Sequence, residues 1–222
     1  MQPGRITPGV VRIGDTVRRP ASPGTPDLLR LLEARGFTGA PRYLGQDTEG
    51  RDILSYLEGE VGPFQRWQDE QLAAFGVLLR AFHDATRITP TRVICHHDPG
   101  PNNTVFRDNL PVALIDFDTA EPGSPLEDLG YAAWTWCIAS KHNDPARQAA
   151  QVRVLADAYA ATPPQREALV DAILERQSRN TRFWTETSAP VTPTQRADRI
   201  AWSRREHDFT TTHRNTFTAH LR

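Results

Sequence analysis

The hydrophobic rhythm of the chain changes near residue 58, and that change restricts the possible folds more than any other feature. Before it, apolar residues come in short β-branched runs. Val10-Val-Arg-Ile13 and Thr16-Val-Arg-Arg19 flank Gly14-Asp15, a dipeptide suited to a tight hairpin because glycine tolerates positive φ. A Pro/Gly/Ser stretch, Pro20 to Pro26, follows. Thr25 and Pro26 then open a helix in which Leu28, Leu29, Leu31 and Leu32 recur, ending before Gly36. Further strands are expected at 42–44 and 53–57, around the turn residues Gln46 to Gly50.

After Glu58-Gly59 the pattern turns helical. Leu72, Phe75, Leu79 and Phe82 keep the 3-4-3 spacing of an amphipathic helix that ends near Ala85. Residues 93–118 interrupt the helices with a strand–loop–strand segment that ends in acid. Helices resume at Ser124-Pro-Leu-Glu127, where Ser, Pro and Glu form a capping box, and Thr162/Gln165 and Thr192/Gln195 repeat the device. Those two helices are expected to run to about residues 186 and 220, with another starting at Asp144-Pro145. The expected class is α+β: a small β-rich lobe over 1–58 and a larger helical lobe over 59–222, with a hairpin at 93–118.

Composition narrows the partners. A formal charge of −1 on 222 residues provides no global field for nucleic acid. No apolar run approaches the roughly 18 residues needed to cross a bilayer, and the first residues lack a signal-like apolar stretch, so a cytoplasmic location is expected. Cys95 and Cys137 are too few for a disulfide framework and read as buried thiols. Charge is unevenly placed: residues 176–222 hold 9 basic and 4 acidic side chains, a surplus of five positive charges. Lys141 is the only lysine, against 25 arginines.

The unusual polar residues concentrate in 93–118: His96-His97-Asp98, Asn103, and Ile115-Asp116-Phe117-Asp118. Phosphoryl transfer from a nucleotide asks for an acceptor of the hydroxyl proton, hard oxygen ligands for a metal on the phosphates, and positive charge. A carboxylate at a loop's start, a carboxamide five residues on and an acid ending the next strand can meet those needs on one hairpin. Singly, Asp98 and Asn103 read equally well as turn-formers, since both types bond their own backbone. A metal-dependent hydrolase built on His96, His97, Asp98, Asp116 and Asp118 is a competing reading.

His96-x-Asp98-x-x-x-x-Asn103 followed by Ile115-Asp116-Phe117-Asp118 resembles the motif of aminoglycoside phosphotransferases and related small-molecule kinases. The likeness continues through Pro122-Gly-Ser-Pro-Leu-Glu-Asp128-Leu-Gly-Tyr131, Leu79-Arg-Ala-Phe-His83 and Leu54-Ser-Tyr-Leu-Glu-Gly59. It implies a protein-kinase-like two-lobed fold with a truncated N-lobe, and transfer of the γ-phosphoryl group of ATP or GTP to a hydroxyl of a small molecule. Carried over, Asp98 orients or deprotonates the hydroxyl, and Asn103 and Asp116 bind Mg²⁺. His96 braces the loop, Asp128 is structural, and Ser55, Tyr56 and Leu57 form the hinge that meets the base.

The pattern departs from the family in the small lobe. Kinases place a lysine on the third small-lobe strand, paired with a helix glutamate, to hold the phosphates. Here Arg18 and Arg19 are the cations on the matching strand. Alternation sends them to opposite faces, and Val17 two residues earlier favours Arg19 over Arg18. Asp27 and Glu33 are the candidate helix acids. The glycine-bearing Gly4–Gly9 segment is the candidate phosphate-covering loop, and little chain precedes it. Both departures sustain a second expectation, a nucleotide-binding pseudokinase.

Overall fold

The computed structural model describes residues 9–62, 65–187 and 191–222; most of the Gly4–Gly9 segment lies outside them. In the small lobe, β1 (Val11–Ile13) and β2 (Thr16–Arg19) form the expected hairpin, with Gly14 at φ 59°. Next come α1 (Thr25–Ala34), β3 (Tyr43–Gln46) and β4 (Asp52–Ser55), and the antiparallel sheet runs β1-β2-β4-β3. Pro26 lies in the first turn of α1, where its missing N–H costs nothing. Leu28, Leu29 and Leu32 of that helix and Leu54 of β4 are buried in the core that continues into the large lobe.

β4 stops at Ser55, short of the strand end expected at Leu57. Tyr56 N still donates to Asp15 O (2.8 Å), the residue opposite it in the β2–β4 register, and the pairing ends there at the hairpin turn. Two short strands and a long helix follow, β5 (Glu60–Val61), α2 (Asp69–Ala85) and β6 (Arg87–Thr89). Leu72, Phe75, Leu79 and Phe82 are all fully buried, as their spacing dictates. Fully burying such side chains contributes about 1.5–3 kcal/mol each, so this stripe fixes α2 as the spine of the lobe.

Residues 93–118 do not form one hairpin. β7 (Arg92–Cys95) pairs with β6 and with β10 (Glu121–Gly123), whereas β8 (Thr104–Arg107) and β9 (Leu110–Leu114) pair with each other, and β8 also with β5. The cause lies between β7 and β8. His97 sits at φ 64°, Pro99 follows, and Pro101–Asn103 make one helical turn, so the chain crosses from one sheet to the other. β6 had no clear sequence signal; it is a three-residue exposed strand. Asp108 and Asn109, both at positive φ, make the β8–β9 turn.

The helical layer comprises α3 (Pro125–Ala132), α4 (Pro145–Ala158), α5 (Pro163–Glu186), α6 (Pro193–Thr212) and α7 (Arg214–Leu221). The boxes at Ser124/Glu127, Thr162/Gln165 and Thr192/Gln195 cap α3, α5 and α6. The last helix does not run unbroken: it kinks at His213, which lets Phe217 and Leu221 enter the core. Gly130 decides how close α3 lies to α5, since a methyl there would stand 2.8 Å from the Ala172 carbonyl carbon. That approach sets Asp128 and Tyr131 beneath the β7–β8 loop.

Candidate active site

The loop after β7 is held by side chains at nearly every peptide. Asp128, fully buried on α3, accepts from His96 N (2.6 Å) and His97 N (2.7 Å). Its Oδ2 also bonds His83 Nε2 (3.0 Å), and Tyr159 OH bonds the other ring nitrogen of His83 (2.7 Å). Burial alone would raise the Asp128 carboxyl, but the His83 bond and nearby charge and backbone donors outweigh it and hold the group below its usual range. Arg176 donates to His97 O (2.6 Å), Trp136 Nε1 to Pro99 O (3.0 Å) and Thr119 Oγ1 to His96 O (2.9 Å).

His96 is also fully buried and braces the loop, as the resemblance implied. Its Nδ1 accepts from Asp98 N (3.3 Å), and its Nε2 meets Ile115 O (3.0 Å), one residue before Asp116. One imidazole thus ties the start of the β7–β8 loop to the segment that follows β9. His97 turns its Nδ1 to Thr119 O (3.1 Å). Both ring nitrogens of His96 are engaged with backbone, which takes it out of the ligand set a hydrolase would need, while His97 Nε2 lies 3.3 Å from Glu127 Oε2. Among the described residues, the His/Cys/carboxylate trio close enough to share an ion is instead His83, Cys95 and Asp128.

Asp98 is gripped on both oxygens. Asn103 Nδ2 donates to Oδ2 (2.7 Å) and to the Asp98 carbonyl (3.0 Å), while Tyr131 OH donates to Oδ1. Burial lifts the Asp98 carboxyl above its ordinary value, and the Tyr131 bond is the main opposing influence. With Nδ2 turned to Asp98, the Asn103 carboxamide presents its oxygen on the other side. Ile115 N donates to Asn103 O (2.9 Å), which sets Asp116 beside it across the β8–β9 register. Asp116 adopts φ 68°, a left-handed turn at the strand end. Burial, then the negative charge of Asp118, raise the Asp116 carboxyl; Arg19 pulls the other way.

Arg19 crosses from the small lobe and is itself buried, at 6% exposure. Its guanidinium donates to Asp118 Oδ2 in a very short contact and reaches Asp116 Oδ1 at 3.5 Å. Arg18 points to the other face, to Thr16 Oγ1 (2.6 Å) and Asp47 (3.7 Å). The helix acids expected for the small-lobe cation are engaged elsewhere: Asp27 pairs with Arg30 (3.2 Å) and Glu33 with Arg42 (3.4 Å), both on the exposed side of α1. Asp52, directly across from Arg19 in register, binds Ser22 N (3.1 Å) and Gln46 Nε2 (3.2 Å). The acids on Arg19 therefore come from the large lobe.

At the expected hinge, Ser55 N donates to Arg42 O (2.9 Å) and Tyr56 N to Asp15 O, while the Arg12 guanidinium lies 3.5 Å over the Tyr56 ring. Leu57 follows them into the connection to β5. Two residues of the site escaped the sequence reading. Tyr131 could have been found, because it lies three residues after Asp128 and so on the same helix face. Arg176 had no local signal; it meets the loop and the Tyr131 ring (5.0 Å) only through the α3–α5 contact.

A small sheet with one helix above a helical lobe, with acids and an amide converging between them, is the fold of kinase-type phosphotransferases. Residues 29–169 match the model of the phosphotransferase enzyme family, and the chain belongs to that family. A trifolitoxin immunity protein from Rhizobium leguminosarum bv. trifolii is 33% identical over 254 residues, spanning 98% of this chain and 96% of that one. Among solved structures, a choline/ethanolamine kinase family protein from Mesorhizobium loti superposes with a TM-score of 0.65 at 18% identity, covering 96% of this chain and 88% of its own. An amicoumacin kinase in complex with AMP-PNP, Ca²⁺ and Ami also gives 0.65, at 10% identity, covering 95% and 90%. Family and fold together support a small-molecule phosphotransferase.

Proposed function

We propose that the protein transfers the γ-phosphoryl group of ATP or GTP to a hydroxyl of a small molecule. The observation that carries this reading is the convergence of Asp98, Asn103 and Asp116 on one face of the β7–β9 segment, between the lobes. Asp98, oriented through both oxygens, accepts the acceptor's proton as its oxygen bonds to phosphorus and the nucleoside diphosphate departs. Asn103 and Asp116 offer hard oxygen donors, a carboxamide and a carboxylate, which suit a magnesium-sized cation. Such a cation would offset the charge of the phosphates. Arg19, which reaches Asp116 from the small lobe, would take the place of the usual lysine, and the Ser55–Leu57 segment would meet the purine base. A nucleotide donor also makes the cytoplasm the natural place of work.

The acceptor is a hydroxylated metabolite or toxin. The curated relative is named for immunity to trifolitoxin, and the structural neighbours for amino alcohols and antibiotics, so hydroxyl-bearing toxins belong in the panel beside both. Purified protein with Mg²⁺ and γ-labelled ATP or GTP should label at least one compound of such a panel. Neither nucleotide hydrolysis nor label transfer at any condition would refute the proposal.

A further inference from the structure

We infer that Asp118 is a positioning residue for the metal site, acting through Arg19: it holds the guanidinium aside so that Asp116 stays open to a divalent cation. This rests on the phosphotransferase reading of Asp116. The geometry supplies the asymmetry. Arg19 makes its tight contact with Asp118 and only a loose one, at 3.5 Å, with Asp116. The helix that would ordinarily hold such a cation contributes nothing, because Asp27 and Glu33 pair with Arg30 and Arg42, and Asp52 is bound by Ser22 and Gln46. A buried guanidinium next to two carboxylates must pair with one of them. Removing Asp118 therefore leaves Asp116 as its partner.

Arg19 and a divalent cation then compete for the same carboxylate. The planar fork of arginine is always charged and favours a two-point grip on a carboxylate, which makes it a stronger competitor than a lysine would be. Asp118 is thus the counterpart, in this chain, of the missing helix acid. It differs from that acid in sitting two residues from the proposed metal ligand, so cation placement and metal binding are coupled.

A double-mutant cycle read by Mn²⁺ binding, measured by electron paramagnetic resonance on the full chain without nucleotide, separates acting through Arg19 from direct ligation. Asp118→Asn should weaken Mn²⁺ binding about tenfold. In the Arg19→Met background, where no guanidinium can swing onto Asp116, the same change should cost under about threefold. An equal loss in both backgrounds would make Asp118 a ligand or a plain charge and overturn the inference, as would no loss at all. Absence of Mn²⁺ binding in all four proteins would remove the metal site itself, and the phosphotransferase reading with it. If Arg19→Met does not fold, Arg19→Gln replaces it in the cycle.

Discussion

The two sides of the candidate site are built on opposite plans. On the large-lobe side, the loop carrying Asp98 is over-determined: Asp128 (itself braced by His83), His96, Thr119, Trp136 and Arg176 each bind it, and most are buried. On the small-lobe side, a single buried cation among the described residues, Arg19, reaches the site, and the groups that fix it belong to the other lobe. The contrast teaches that the chemical geometry is stored in one lobe, while the other contributes a charge whose placement depends on contacts between lobes. A proton acceptor of the proposed kind gains from rigidity; a cation proposed to meet phosphates gains from being able to change partners.

Substitutions can break this contrast, beginning with the chemistry itself. Asp98→Asn removes the proposed proton acceptor while leaving an isosteric side chain among the same neighbours. Turnover should fall by about 10²–10⁴-fold with nucleotide affinity retained, and a loss below tenfold would take the general-base role away from Asp98. Next in size is the anchor. Asp128→Asn leaves two backbone donors and an imidazole around a neutral amide in a buried pocket. It should cost about 3–5 kcal/mol in denaturant unfolding; under 1 kcal/mol would mean that the loop is not held as described.

That anchor also fixes a pH dependence. The Asp128 carboxyl is held below its unfolded value, so the unfolded chain binds its proton first as pH falls. The stability it provides is fully present above about pH 4 and is lost as the pH falls through the folded value. Unfolding free energies of the wild type and Asp128→Asn should therefore converge toward acid; a gap that stays constant to pH 3 would refute the charge-based account. The smallest effect sharpens the other side of the comparison. Arg18→Ala removes contacts to Thr16 and Asp47 away from the acids and should change stability by no more than about 0.5 kcal/mol, without altering nucleotide affinity. If Arg18 proved as costly as Arg19, the face assignment on β2 would be wrong.

Features that rest on local rules were readable in the sequence. Gly14-Asp15 specifies its hairpin, the Leu72–Phe82 stripe its helix, and three Ser/Thr–Glu/Gln boxes their helix starts. Asp98, Asn103 and Asp116 were readable for the same reason, since their spacing lies within one short segment. What escaped depends on contacts distant in sequence. The sheet change between β7 and β8 uses the left-handed His97 and the Pro101–Asn103 turn, but it also needs partners for each strand, β6 and β10 for β7, β5 and β9 for β8, that local pattern does not pair. The partners of Arg19 lie nearly a hundred positions away, where no pattern of strand or helix could indicate them. The kink at His213 likewise follows from where Phe217 must be buried.

Arginine in place of lysine on the proposed phosphate side would have a practical consequence for anyone surveying nucleotide-using proteins in a cell extract. Reagents that acylate an amine near bound phosphates would pass this protein by. A guanidinium does not react with them, and the one side-chain amine in the sequence, Lys141, sits exposed on the turn between α3 and α4. Amine-directed labels would report on that remote turn, and guanidine-directed dicarbonyl chemistry would be the route to the site.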